Sequence, residues 1–193
     1  NSYYSNMGIK CDVVPITVDG KKEENQLFAP HAYDLMVDTP AYKYASNSRV
    51  GSIFDEHKRS QDRLDVPVIV GEWGGQSEGT DWLYHIEYLL DKFDGNKWGH
   101  TYWAYYEGLL DDPIMTCLVR TSPVAVCGKI DKYSFDRENE IFTLEYTQDK
   151  EYSVPTEIFV HKNAKSIECD GEYTLEPVGD KGAAMLRIVA SAG

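Results

Sequence analysis

Val66–Gln76 reads VPVIVGEWGGQ: an apolar run of strand-forming residues that ends in a glutamate set among glycines and a tryptophan. VPVIV shows little alternation, which fits a parallel strand covered on both faces. Burial penalises an ionised carboxylate, so Glu72 at the end of such a strand needs donors around it or a task that uses the charge.

Outward from this stretch, the apolar positions alternate between two periods. Upstream, LFAPHAYD reads as a strand end. From Ser46 to Leu64 the residues Val50, Ile53, Phe54 and Leu64 recur among charges at helical spacing, and Asp65 and Pro67 close that helix. Downstream, Thr80 or Asp81 offers an N-cap to a helix whose stripe is Trp82, Ile86, Leu89, Leu90 and Phe93. FDGNKWG breaks that helix, and HTYWAYYEG reads as the next strand. Strand, helix, strand, helix, strand is the order of a parallel α/β sheet or barrel.

After about Thr121 the pattern changes. KYSFD, EIFTLEYT, PTEIFVH, YTLEP and AAMLRIVAS are short runs of period two, separated by the turns RENE, KNAK, DGE and GDKG. They predict an antiparallel β module, a small sandwich. Two domains are therefore expected, 1–120 and 121–193. The first ~26 residues are polar and turn-rich, with VDGKKEEN as a surface excursion.

Composition narrows the function classes. Of 193 residues 42% are hydrophobic, enough for a real core, and Lys+Arg 19 against Asp+Glu 32 leaves a net charge of −13. That balance argues against a nucleic-acid partner. No apolar run approaches the ~20 residues needed to cross a bilayer. Cys11, Cys117, Cys127 and Cys169 allow up to two disulfides in any of three pairings, or buried free thiols, and lack metal-ligand spacing. The acidic balance suits a secreted protein.

Three strand ends carry chemistry: His31 and Tyr33, then Glu72, then Trp103 with Tyr105, Tyr106 and Glu107. In a (β/α) barrel such ends converge on one face and build the active site. Glu72 is then the nucleophile or base, Tyr33 a donor that keeps it ionised, and His31 a donor to substrate hydroxyls. An exposed Trp103 face suits a sugar ring. Trp73, Gln76 and Glu107 are further substrate-binding candidates on the same loops. Each has a plainer reading: Glu72 as a helix cap or arginine partner, His31 as a core histidine, Trp73 and Trp103 as packing, and Glu107 as a loop cap.

PHAYD, VGEWGG and HTYWAYYEG together resemble the sixth, seventh and eighth strands of a family 5 glycoside hydrolase, a retaining (β/α)8 enzyme. The resemblance implies His31 and Tyr33 as the His-x-Tyr of strand six, Glu72 as the strand-seven nucleophile and Trp103 as the strand-eight tryptophan. LVRTSPVAVCG, FTLEY and PTEIFV are similar to the C-terminal β-sandwich of the endoglycoceramidase-like branch. The implied substrate is an oligosaccharide or glycolipid, with peripheral lipid contact and no metal or other cofactor. Retaining hydrolysis needs a second carboxyl about 5–5.5 Å from the nucleophile. The family carries it in an Asn-Glu-Pro on strand four, whereas Asn139-Glu140 here precedes isoleucine inside the β module. The expectation is a C-terminal part of a larger enzyme, with the acid/base glutamate in a missing N-terminal half. Such a part leaves raw sheet edges and is inactive alone. The rival readings are a non-catalytic carbohydrate- or lipid-binding module, and a cellulase or mannanase specificity within family 5.

Overall fold

A computed structural model of the chain describes residues 7–162 and 164–189. Positions 1–6 of the polar N-terminal stretch, Asn163 in the KNAK turn and the last two residues of AAMLRIVAS lie outside them. The chain divides into two compact units, Asn1–Met115 and Thr116–Gly193.

In the first unit, VDGKK forms an exposed hairpin, β1 (Thr17–Val18) with β2 (Lys21–Lys22). The chemistry-bearing strands follow: β3 (His31–Ala32), β4 (Ile69–Trp73) and β5 (Gly99–Tyr102), joined by helices α1 (Asn47–Leu64) and α2 (Leu83–Asn96). The three strands pair in parallel in the order β3-β4-β5. A further parallel bridge joins Phe28 to Val68.

The local chemistry explains these boundaries. Ser46 caps α1 by accepting the Arg49 N–H, and Asp65 ends it in the left-handed conformation at φ 53°. α2 starts one or two residues later than an N-cap at Asp81 or Thr80 implies. Its N-cap position is Trp82, with no side-chain cap, and Thr80 and Asp81 lie in the preceding turns. Both helices bury the predicted stripes, Val50, Ile53, Phe54 and Leu64 on α1 and Ile86, Leu89, Leu90 and Phe93 on α2. Phe54 bridges the layers, its ring 5.1 Å from Phe93 and 5.6 Å from Trp98.

β4 has two unequal faces. Val70 and Trp73 are fully buried, and a register irregularity lies between them. An uninterrupted strand would put residues three apart on opposite sides. The irregularity lets both cover the helices, Trp73 meeting Phe93 at 4.9 Å. Ile69 is 41% exposed.

The second unit is all antiparallel. β6 (Ser122–Ala125), β9 (Thr156–Val160), β10 (Tyr173–Val178) and β11 (Ala183–Ile188) form a sheet in the order β10-β11-β9-β6, and β7 (Gly128–Asp136) pairs with β8 (Ile141–Gln148) as a separate hairpin. The period-two runs become β7 to β11. β6 was not among them, because Pro123 interrupts a run too short to show alternation. Ile158, Val160, Ala184 and Leu186 make the buried cluster, and Phe142 and Leu144 of the hairpin pack against it. All four cysteines are free thiols; Cys11, Cys117 and Cys127 are buried and Cys169 is exposed. No helix among the described residues is long and apolar enough to cross a membrane.

Candidate functional site

The sheet register brings the first two motifs together. In the β3–β4 ladder His31 is opposite Glu72 and Ala32 opposite Trp73. Ala32 and Trp73 are both fully buried, so they share the helix side. His31 and Glu72 remain partly open, with side chains 37% and 31% exposed. Trp73, expected at a subsite, is fully buried on the helix side. β4 runs through it, the register irregularity after Val70 turns its ring to the helices, and it lies in edge contact with Phe93, His100 and Tyr102.

Two groups converge on one oxygen of Glu72. The Tyr33 hydroxyl donates to Oε2 at 3.2 Å, and His31 Nδ1 lies 3.3 Å from the same atom. Oε1 has no protein hydrogen bond among the described residues. Burial first, and then the negative charge of Glu72, pushes the Tyr33 phenol well above its usual range, so it stays a donor. His31 is less free to serve substrate hydroxyls than its motif implied, since Nδ1 faces Glu72 and leaves only Nε2.

A buried scaffold holds these residues. His57 of α1 is fully buried and its Nε2 donates to the His31 carbonyl at 2.8 Å. Burial pushes its pKa down to about 4, so it is neutral and carries its proton on Nε2. Asp34, next to Tyr33, is gripped by Arg49 through Nε–Oδ2 at 3.1 Å and Nη2–Oδ1 at 2.8 Å, and accepts the N–H groups of Ser46 and Met36. Burial opposes the Asp34 charge, but the guanidinium and the two amides outweigh it and hold the carboxyl below its ordinary value. The strand end bearing His31 and Tyr33 is thus fastened to α1. Neither Asp34, Arg49 nor His57 was singled out in the sequence. The one visible signal was a charged residue directly after the His-x-Tyr.

Trp103 follows β5 with 60% of its surface exposed, and its backbone N–H donates to the Trp73 carbonyl at 2.9 Å. The Trp103–Ala104 peptide is cis. Gln76 and Glu107 are exposed on the loops after β4 and β5, and neither is hydrogen-bonded to the His31–Tyr33–Glu72 group among the described residues. The same residues hold no cluster of three or more His, Cys, Asp or Glu suited to a metal ion.

Comparison with known proteins gives this geometry a family. No curated protein sequence matches the chain. Solved structures of endo-glycoceramidase II from Rhodococcus sp. share its fold. The complex with a cellobiose-like imidazole has a TM-score of 0.70 at 18% identity, covering 99% of this chain and 48% of that one. The lactosyl-enzyme intermediate gives 0.69 at 18% over 97% and 47%, and the ganglioside GM3 complex 0.65 at 17% over 99% and 48%. The chain spans about half the length of these structures. The profile of the family 5 glycoside hydrolase C-terminal domain matches residues 120–192. The profile of cellulase, glycosyl hydrolase family 5, matches residues 1–108, more than half of the 193, and the chain belongs to glycoside hydrolase family 5.

Proposed function

We propose that this chain is the nucleophile-bearing part of a retaining β-glycosidase acting on glycolipids. The observation that carries the reading is the asymmetry of Glu72, with both donors on Oε2 and Oε1 open. Oε1 attacks the anomeric carbon while the bond to the aglycone oxygen breaks, its electron pair staying on that oxygen. An acid residue outside this chain protonates the leaving oxygen. The same residue then takes a proton from water, which attacks the anomeric carbon and frees Glu72. Tyr33 and His31 hold the carboxylate as an ion and aim it; Trp103 offers its face to a sugar ring.

β3, β4 and β5 act as strands six to eight of a (β/α)8 barrel whose earlier strands and acid/base glutamate lie in an N-terminal half beyond this sequence. The half-open face at Ile69 supports that reading, because a complete barrel fills its interior with such side chains. The retaining course is supported by the fold-related enzyme captured as a lactosyl-enzyme intermediate, and the glycolipid class by its ganglioside GM3 complex. The exposed Trp103, Tyr105 and Leu110 after β5 suit an aglycone with an apolar tail or a lipid surface.

The test is Glu72→Gln in the complete enzyme. The expected loss of glycolipid turnover is at least about 10³-fold with an unchanged melting temperature. Activity within tenfold of the parent contradicts the reading.

A further inference from the structure

Two phenols hold the backbone that follows Glu72. Tyr42, fully buried in the 3-10 turn Tyr42–Tyr44 after β3, donates its hydroxyl to the Gly74 carbonyl at 2.9 Å. Tyr102, the last residue of β5, donates to the Gly75 carbonyl at 3.3 Å. Both carbonyls lie just past β4, and each meets a side-chain donor, one from the 3-10 turn after β3 and one from the end of β5.

Each ring also lies against the other glycine of the pair, not the one whose carbonyl it binds. A Cβ on Gly75 would lie 2.1 Å from Cζ of Tyr42. One on Gly74 would lie 2.7 Å from Cε2 of Tyr102 and 2.9 Å from the Trp103 carbonyl oxygen. The two glycines hold φ at +136° and +153°, where a side chain is disfavoured. Only bare backbone fits between the phenols. The joint draws on all three parallel strands: Tyr42 follows β3, the glycines follow β4, and Tyr102 closes β5. The Trp103 N–H to Trp73 carbonyl bond adds a third tie one residue after Glu72.

A nucleophile two residues from such a joint has its backbone set on both sides. The ladder to His31 fixes it across the sheet, and the phenols fix the chain as it leaves. Attack on a sugar carbon falls steeply in rate when the reacting atoms are displaced by about 1 Å, by roughly 10²-fold.

We propose that Tyr42 and Tyr102 are positioning residues for Glu72, clamping the Gly74–Gly75 backbone so that the open carboxylate oxygen keeps its line of attack. The proposal rests on the reading of Glu72 as nucleophile. Burial raises both phenols, Tyr102 to about 12, so both keep their protons at any working pH.

The test uses the complete enzyme and 2,4-dinitrophenyl 2-deoxy-2-fluoro-β-glycosides (glucoside, cellobioside and lactoside). The dinitrophenolate leaves with the bonding electron pair and needs no proton from an acid residue, so trapping isolates the nucleophile's step. Rates of covalent labelling are measured for the parent, Tyr42→Phe and Tyr102→Phe, each per folded molecule and well below its melting temperature. The clamp predicts labelling of Glu72 slowed by roughly tenfold or more in both variants. A merely structural role lowers the melting temperature and leaves this rate unchanged, and that result overturns the proposal. If Tyr42→Phe does not fold, Tyr102→Phe decides alone, since Tyr102 is only half-buried. A parent labelled at a residue other than Glu72, or not at all, overturns the functional reading and the clamp with it. A labelled parent with equally fast variants removes the clamp alone.

Discussion

The two units bury different things. In the first, the interior contains Asp34, Glu56, His57, Ser60, His85 and Asp94 among large aromatics; in the second, the buried polar groups among the described residues are Arg120 and Thr156, beside a small aliphatic cluster. Buried polar groups lower stability unless they are paired, so a unit that accumulates them has a use for fixed backbone and fixed side chains. Here the use is visible: Asp34 and His57 fasten the strand that presents His31 and Tyr33 to Glu72. The β unit reaches its fold with alternation and turns alone.

This contrast can be broken by mutation. Beyond the loss expected of Glu72→Gln, the largest stability effect belongs to Arg49→Leu. It strands the fully buried Asp34 carboxylate with backbone donors only. The expected loss is roughly 2–4 kcal/mol, below the range for a fully buried pair because Arg49 is 38% exposed. Chemical denaturation measures it, and a loss under about 0.5 kcal/mol would separate this pair from the scaffold.

Next comes acid sensitivity of the first unit. Burial pushes His57 and His85 down to about 4 from 6.5. The unfolded chain takes up protons at these positions near 6.5 and the folded chain only near 4. Their contribution to stability is therefore intact above about 6.5 and is lost as pH falls towards 4, by up to about 3 kcal/mol each. All four tryptophans of this sequence (73, 82, 98 and 103) lie in the first unit, so the tryptophan fluorescence of this chain reports the melting of that unit and not of the second. A melting temperature constant from pH 7 to 4.5 would contradict the assignment.

The smallest effect is expected on the β unit's surface. Arg187 pairs with Glu157 and with Glu176 across β9, β11 and β10. Arg187→Ala should leave glycosidase turnover unchanged and move the melting temperature by no more than about 2 °C. A large loss of turnover would place the second unit in the chemistry and erase the contrast.

The sequence made the first unit's frame legible because its helices and strands differ in period. Val50, Ile53 and Phe54 recur helically, while VPVIV does not alternate. The His31–Tyr33–Glu72 group was legible as two motifs in order, since parallel strands align their ends. What stayed hidden depends on facing and on contacts between distant residues. Trp73 looked like a loop residue because Gly74 and Gly75 follow it, yet the strand continues through it and turns it inward. Tyr42 and Tyr102 have no local signature, because each acts on a carbonyl some thirty residues away. Arg49 and His57 sit inside an ordinary amphipathic pattern; nothing in it tells a partnered polar residue from a solvated one.

The central claim is that Glu72 forms a covalent bond to the sugar. The measurement that meets it most directly is the mass of the tryptic peptide 64–92 from the complete enzyme after trapping with a dinitrophenyl 2-deoxy-2-fluoro-β-glycoside. One added fluoroglycosyl group is expected on this peptide, placed on Glu72 by fragmentation and absent from Glu72→Gln. A fluoroglycosyl group on Glu78, on Glu87 or on another peptide, or one retained by Glu72→Gln, would contradict it.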